Sequence, residues 1–170
     1  MPLSGAMLAL SASGELTQAL DFGTGSAKQI LSKSMALASG TGAGKADRMF
    51  SDRRTLAASG TEDLDLAGVL LDAFGTAITF ARIKGLVIAA SKDNINNVVV
   101  GAAASAPWIT LLGATHTLTL RPGAFVAVGT GLADATGYAV TATTADLLKI
   151  ANSGGTTGVT YDIHIIGCSA

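Results

Sequence analysis

From residue 56 onward the chain consists of short apolar segments separated by turn-forming residues, and this pattern constrains the fold most. From Leu56 to the C-terminus there are about seven or eight such segments, bounded by Gly, Asn, Asp and Ser. In the last of them, alternate residues share one face of a strand: Val159, Tyr161, Ile163 and Ile165. Short strands at regular spacing are typical of an antiparallel sandwich or jelly roll. We therefore predict an all-β fold, an antiparallel β-sandwich that is jelly-roll-like.

Residues 1–55 differ from the rest because small residues dominate and apolar residues are scattered singly. Residues 30–38 alternate as a strand that places four side chains on one face: Leu31, Lys33, Met35 and Leu37. We predict an extended N-terminal arm with one or two strands over residues 1–55 and a jelly-roll body over residues 56–170. An arm with so few bulky side chains becomes ordered only by burying surface on something else.

The composition predicts contact with other protein chains. Charged residues make up 14% of the sequence and hydrophobic residues 49%, whereas an average soluble domain has about 25% charged residues. Too few charges remain to cover an isolated monomer, so part of its surface is expected to face protein. The net charge of −1 argues against nucleic-acid binding. The longest apolar stretch, residues 66–83, is interrupted by Asp72 and Arg82, which argues against a membrane span.

The stretch SGTGAGKAD, residues 39–47, contains the glycines and lysine that are typical of a phosphate-binding loop. Such a loop has the pattern G-x-x-x-x-G-K-[ST] between a buried strand and a helix. Here Ser39 replaces the first glycine, and Ala46 replaces the hydroxyl residue that would hold magnesium. The pattern therefore fails, and we interpret the stretch as a glycine-rich connector.

The histidines and acidic residues form no pattern of a catalytic or metal site. His116 and His164 are far apart, whereas metal-binding jelly rolls need clustered histidines. The acidic run at Glu62, Asp63 and Asp65 lacks the glycine and the closing glutamate of a calcium loop. No G-x-S-x-G elbow for a serine nucleophile is present. We predict no enzyme activity, no cofactor, no metal site and no catalytic residue.

Candidate interface residues lie in the charged segment KADRMFSDRR and next to a proline. This segment, residues 45–54, mixes four basic with two acidic residues, which favours salt bridges with a neighbouring subunit or within the arm over a nucleic-acid patch. From it we select four interface residues: Met49, Phe50, Arg53 and Arg54. Trp108, the only tryptophan, follows Pro107 and is either an interface anchor on an exposed loop or a core residue.

Several longer segments carry a resemblance to a known group of proteins: ADRMFSDRRTLAASGTEDLDLAG, DAFGTAITFARIKGLVIAA, NNVVVG, LRPGAFVAVG, DATGYAVTATTADLLKIANSGG and VTYDIHIIGCSA. From residue 46 onward the chain resembles small structural proteins encoded among the head genes of tailed bacteriophages, which decorate or cement the capsid. The resemblance lies in the overall pattern, and it includes no catalytic motif.

The resemblance implies a virion structural protein, made in the host cytoplasm and located on the capsid surface. It also implies a jelly roll that forms a homodimer or homotrimer and binds across subunits of the major capsid protein, with no direct contact to nucleic acid or membrane. Two alternatives stay open. One is a head spike, fibre base or tail component of the virion, and the other is a small-ligand or sugar-binding sandwich.

Overall fold

The computed structural model describes residues 2–170, and β-strands form most of it. Fourteen strands and one short helix follow in chain order: β1 (Ala6–Leu20), β2 (Gly23–Ser39), β3 (Lys45–Ala46), β4 (Arg48–Leu56), β5 (Thr61–Asp65), β6 (Leu70–Leu71), β7 (Ala77–Ile78), β8 (Arg82–Ala90), β9 (Val98–Gly101), α1 (Ile109–Leu112), β10 (Thr117–Leu120), β11 (Phe125–Gly129), β12 (Tyr138–Ala139), β13 (Leu147–Asn152) and β14 (Val159–Cys168).

Two packed sheets form the body of the protein. One has the strand order β10-β9-β13-β5, and the other, five-stranded sheet has the order β11-β8-β14-β4 with β12 added to β8. Numbered along the chain, the eight main strands pair in the orders 6-3-8-1 and 5-4-7-2. Each sheet therefore combines strands from both ends of the sequence, which is the double Greek key of a jelly roll. The predicted fold class, an all-β sandwich, is confirmed.

The core lies between the sheets because one face of each strand is apolar. In β5, Leu64 is buried while its neighbour Asp63 is exposed, as the alternation of the sequence predicts. Four alternate residues of β14 are buried in the same core: Val159, Tyr161, Ile163 and Ile165. Burial of one strand face in each sheet fixes the register, because a one-residue slip would turn these side chains towards solvent.

The first two strands form a long antiparallel hairpin. Its register runs without interruption from Ala6 opposite Leu37 to Leu20 opposite Gly23. The chain turns at residues 21–22, and Gly23 follows with a φ of 125°, a conformation that glycine adopts readily. The sequence GTGS of residues 23–26 is typical of a turn. These residues begin β2 instead, because the turn comes two residues earlier.

The extended arm predicted over residues 1–55 is not confirmed. Residues 6–39 fold as the hairpin, and β4 pairs with β14 along its whole length, from Gly167 opposite Arg48 to Val159 opposite Leu56. The charged segment is therefore largely a strand of the five-stranded sheet. The glycine-rich connector folds back between β2 and β3, and three backbone hydrogen bonds close it, one of them from the Ala38 amide to the Gly44 carbonyl at 3.0 Å.

The base of the hairpin packs onto the five-stranded sheet at a place where that sheet has glycines. Leu8 and Met35 lie over Gly85 of β8 and Gly129 of β11, and a Cβ atom at Gly129 would lie only 3.0 Å from Leu8 Cδ2. Together with Ile166 and their neighbours they form a second apolar cluster, separate from the main core. The two glycines let the hairpin approach the sheet closely, so this contact fixes the direction in which the hairpin leaves the body.

Met35→Ala is expected to destabilise the protein by about 2 kcal/mol, because it removes a buried side chain and leaves a cavity above the two glycines. The matched control is Leu31→Ala, on the same strand and face but 61% exposed, where Met35 is 5% exposed. The control should change stability by no more than about 0.5 kcal/mol. Urea unfolding of dilute protein measures both, and equal effects would contradict the described seat of the hairpin.

Candidate interaction surface

The two faces of the hairpin have different chemistry. Directly paired residues of an antiparallel hairpin share a face, so the register assigns each residue to one side. We call one side the apolar face: it carries Ala6, Leu8, Leu10, Ala12, Leu16, Leu20, Ala27, Leu31, Met35 and Leu37, together with three polar residues, Gln18, Gln29 and Lys33. The other side is mostly Ser, Thr and charged: Ser11, Ser13, Glu15, Thr17, Ser26, Lys28, Ser32 and Ser34. The polar side also carries Met7 and Ile30, so the two faces differ in their share of apolar side chains, and the leucines are all on one of them.

Only the base of the apolar face is covered. Met35 and Leu37 are buried, but in residues 11–32, which we call the distal hairpin, the same face is open to solvent. Leu16 is 74% exposed, and Phe22 at the tip is fully exposed. Leu16, Leu20 and Leu31 are exposed on this face, with Gln18 and Gln29 between them. Several large apolar side chains exposed on one face of a ribbon are typical of a surface that binds protein.

The side of the five-stranded sheet that faces away from the core is also only partly covered. The hairpin base occupies one row of residues across it, at Gly129, Gly85 and Ile166. Two further rows remain open, and we call them the uncovered patch: Phe125, Ala89, Asp162 and Arg53, then Ala127, Val87, His164 and Ser51. Half of the patch is apolar, and Phe125 is 61% exposed.

Charges lie at the β4 side of this patch. Arg53 donates two hydrogen bonds to Asp162, from Nε to Oδ1 at 2.6 Å and from Nη2 to Oδ2 at 2.8 Å. This bidentate pair lowers the pKa of Asp162, although solvent screens the interaction. His164, half-buried beside Val87 of the next strand, has its pKa lowered by burial. The predicted interface residue Arg53 thus stands at the edge of an open surface.

A partly buried polar network joins the two sheets close to Arg53. Arg54 of β4 donates from Nη1 to Glu62 Oε2 at 2.7 Å, and the Tyr161 hydroxyl donates to Glu62 Oε1 at 2.6 Å. Burial, followed by this hydrogen bond, raises the pKa of Tyr161. The Arg54 guanidinium lies 5.8 Å from the centre of the Phe50 ring. Because Glu62 belongs to β5 of the opposite sheet, the network holds β4 and β14 against β5.

The predicted interface residues are therefore split between surface and interior. Phe50 is buried in the core, Arg54 takes part in the intersheet network, and Met49 and Arg53 are exposed. Trp108 is 4% exposed, and its Nε1 donates to the Ala139 carbonyl at 2.8 Å. Its side chain offers almost no surface for a partner, so its position is that of the core residue considered as the alternative.

Within residues 2–170, no three His, Cys, Asp or Glu side chains are grouped closely enough to hold a metal ion. Cys168 is fully buried, and burial raises the pKa of its thiol. Its Sγ donates to the Lys45 carbonyl at 3.4 Å, which ties the end of β14 to β3. No helix of the described chain is long and apolar enough to cross a membrane.

Sequence reasoning did not identify the distal hairpin or the uncovered patch. Alternation places the leucines of each strand on one face, but only the pairing of β1 with β2 shows that the apolar sides of the two strands are the same face of one hairpin. The signal was the turn at Asp21 and Phe22, flanked by segments that become complementary when folded there. The patch is made of residues from β4, β8, β11 and β14, which the sequence does not place side by side.

Comparisons with protein-family models, with curated proteins and with solved structures find no match to this chain.

Tyr161→Phe is expected to destabilise the protein by about 1–2 kcal/mol, because Glu62 Oε1 loses its hydrogen-bond donor and the carboxylate keeps only the bond from Arg54. Tyr138→Phe is the matched control, since the Tyr138 ring packs edge-on against Trp108 and lies outside this network. The control should stay within about 0.5 kcal/mol of the wild type. Chemical denaturation compares the two variants, and an unchanged midpoint for Tyr161→Phe would show that the network does not stabilise the fold.

Proposed function

We propose that this protein is a structural subunit of a tailed-phage virion, a capsid decoration protein that binds across subunits of the major capsid protein. Its role in this proposal is structural and not enzymatic. Two observations support the proposal: the sequence resembles head proteins of this kind, and jelly rolls are common among viral capsid domains. Lectin domains and cupins are also jelly rolls, so the fold alone does not indicate the function. The surface of the molecule distinguishes between these roles.

The observation that carries the proposal is the distal hairpin. A two-stranded hairpin alone is at best marginally stable in water, and residues 11–32 are exposed along almost their entire length. Ordering such a segment costs conformational entropy, which burial of its leucines against protein would offset. A segment built in this way serves as an assembly arm, and its length suits a subunit that reaches its neighbours in a shell.

Repetition in a shell makes modest contacts sufficient. A subunit that contacts several neighbours gains from effective concentration, since each contact holds the others in place. Binding of the subunits stabilises the shell by mass action, and the effect is largest when all binding sites on the shell are filled. A decoration protein with one apolar arm and an otherwise ordinary surface therefore increases the resistance of the shell to heat or internal pressure.

The structure allows a sharper truncation than removal of the whole N-terminal region, because deletion of residues 1–50 would also remove part of β4. Residues 11–32 are instead replaced by Asn-Gly, which joins the paired residues Leu10 and Lys33 through a two-residue hairpin turn. The variant is expected to keep the body fold and the seat of Met35, and to lose retention on capsids. Co-sedimentation with shells that lack their decoration protein measures retention, and circular dichroism checks the fold.

The full-length protein should bind these shells and raise the temperature at which they open. If it neither binds the shells nor changes that temperature, the decoration role is wrong. Retention on isolated tails instead of shells would favour a tail component. A shift in melting temperature with sugars, in the absence of any virion binding, would favour a sugar-binding sandwich.

A further inference from the structure

We propose that the distal hairpin docks on the uncovered patch of a second copy of this chain, so that two copies exchange hairpins. This inference rests on the proposed role of the hairpin as an assembly arm, and it names the partner that covers it. A second copy fits this role because the hairpin base already packs on the same side of the same sheet within one chain.

The contact inside one chain shows that these two surfaces fit together. Leu8 and Met35 of the apolar face pack on small residues of the sheet, Gly85 and Gly129. The apolar face continues past this contact along the hairpin, and the same side of the sheet continues into the uncovered patch. There Val87 and Ala127 lie directly opposite each other in β8 and β11. The proposed contact therefore extends an existing one with the same chemistry.

The hairpin cannot cover the patch of its own chain. The hairpin base crosses the sheet from Ile166 in β14 over Gly85 in β8 to Gly129 in β11. Strand β11 is the edge of this sheet. Leu10 lines an open cavity at that edge together with Ala127 and Thr130. The pairing of β1 with β2 continues unbroken beyond it, so the distal hairpin extends past the body. Residues 12–20 span about 30 Å at the usual rise per residue.

The dimensions of the patch match those of one hairpin. Residues on one face of a strand recur about every 7 Å, so the two open rows lie about 7 Å apart, and the strands of a ribbon are about 4.8 Å apart. The four strands that carry the patch span about 19 Å, which the distal hairpin is long enough to cross. With the β11 edges of two copies facing each other, each hairpin continues in its own direction onto the patch of the other copy.

The free edge of β1 also favours this arrangement. In the hairpin sheet the order is β1-β2-β3, and β3 lies beside the C-terminal end of β14, where Cys168 contacts Lys45. The patch lies towards the other end of β14, so β1 is the strand of the hairpin sheet that is nearest to the patch. Within residues 2–170, the outer edge of β1 pairs with no strand. A second hairpin on the patch would lie along this edge and cover its unpaired backbone groups.

The test is the oligomeric state of the full chain, measured by analytical ultracentrifugation over a range of concentrations. The wild type is expected to be a dimer, and the variant with residues 11–32 replaced by Asn-Gly a monomer. Leu31→Ser should raise the dissociation constant at least tenfold. The matched control is Ile30→Ser, because Ile30 is the adjacent residue, 59% exposed against 61% for Leu31, and lies on the opposite face. It should change the constant less than twofold.

A second variant tests the seat. Val87→Glu places a charge in the patch, on the outward side of β8, and should also weaken the dimer at least tenfold. Circular dichroism checks that the variant keeps its fold. Crosslinking adds a direct readout: Leu16→Cys with Val87→Cys should give an interchain product with a short bis-maleimide, and Thr17→Cys with Val87→Cys should not. Cys168 is buried and contributes no reactive thiol.

A wild type that stays monomeric at every concentration overturns this inference. A dimer that is weakened by Leu31→Ser but not by Val87→Glu also overturns it, because the hairpins would then pair with each other and not with the patch. The outcomes are separable from those for the proposed function. A monomer that binds shells through its hairpin would leave the decoration role in place and remove the exchange. A dimer with all the expected sensitivities that binds no shell would keep the exchange and remove the decoration role.

Discussion

The contact of Leu8 and Met35 with Gly85 and Gly129 determines how the rest of the surface is arranged. Any larger side chain at Gly129 would meet Leu8 Cδ2 at 3.0 Å or less, so the two glycines create the flat place on which the ribbon lies. The contact is small compared with the core of the sandwich. It nevertheless fixes the angle of a hairpin whose two strands are the longest in the protein. This angle determines that the distal hairpin projects from the body and that the uncovered patch stays open.

The body and the hairpin are stabilised in different ways. In the body, the jelly roll buries the inward faces of both sheets, and the network of Arg54, Glu62 and Tyr161 closes the side where β4 meets β5. The network costs desolvation, so it is of value only while every partner is present. The hairpin has no second layer beyond its base, and in the proposed assembly a second copy supplies one. The core of the body is therefore an ordinary one, and part of the high apolar content of the sequence lies in the exposed hairpin.

The sequence predicted those features that depend on local alternation. The burial of Leu64 against Asp63, and of the odd-numbered residues of β14, follows from strand geometry alone, and the structure confirms both. The placement of Leu31, Lys33, Met35 and Leu37 on one face is also correct. Which of these four become buried was not predictable, because that depends on where the sheet has glycines at Gly85 and Gly129, about fifty and ninety residues away in sequence.

The long unpaired edge of β1 is the feature that a solitary monomer explains least well. Edge strands in soluble proteins are commonly short, bulged or marked with charges that prevent pairing. Here the strand is 15 residues long and regular, and Glu15 is its only charged residue. Lys28, opposite Glu15, and Lys33 are the only charges on β2. An edge without such protection aggregates unless it is covered in a defined way, and a symmetric exchange of hairpins covers it once on each copy and leaves no further edge of this kind open.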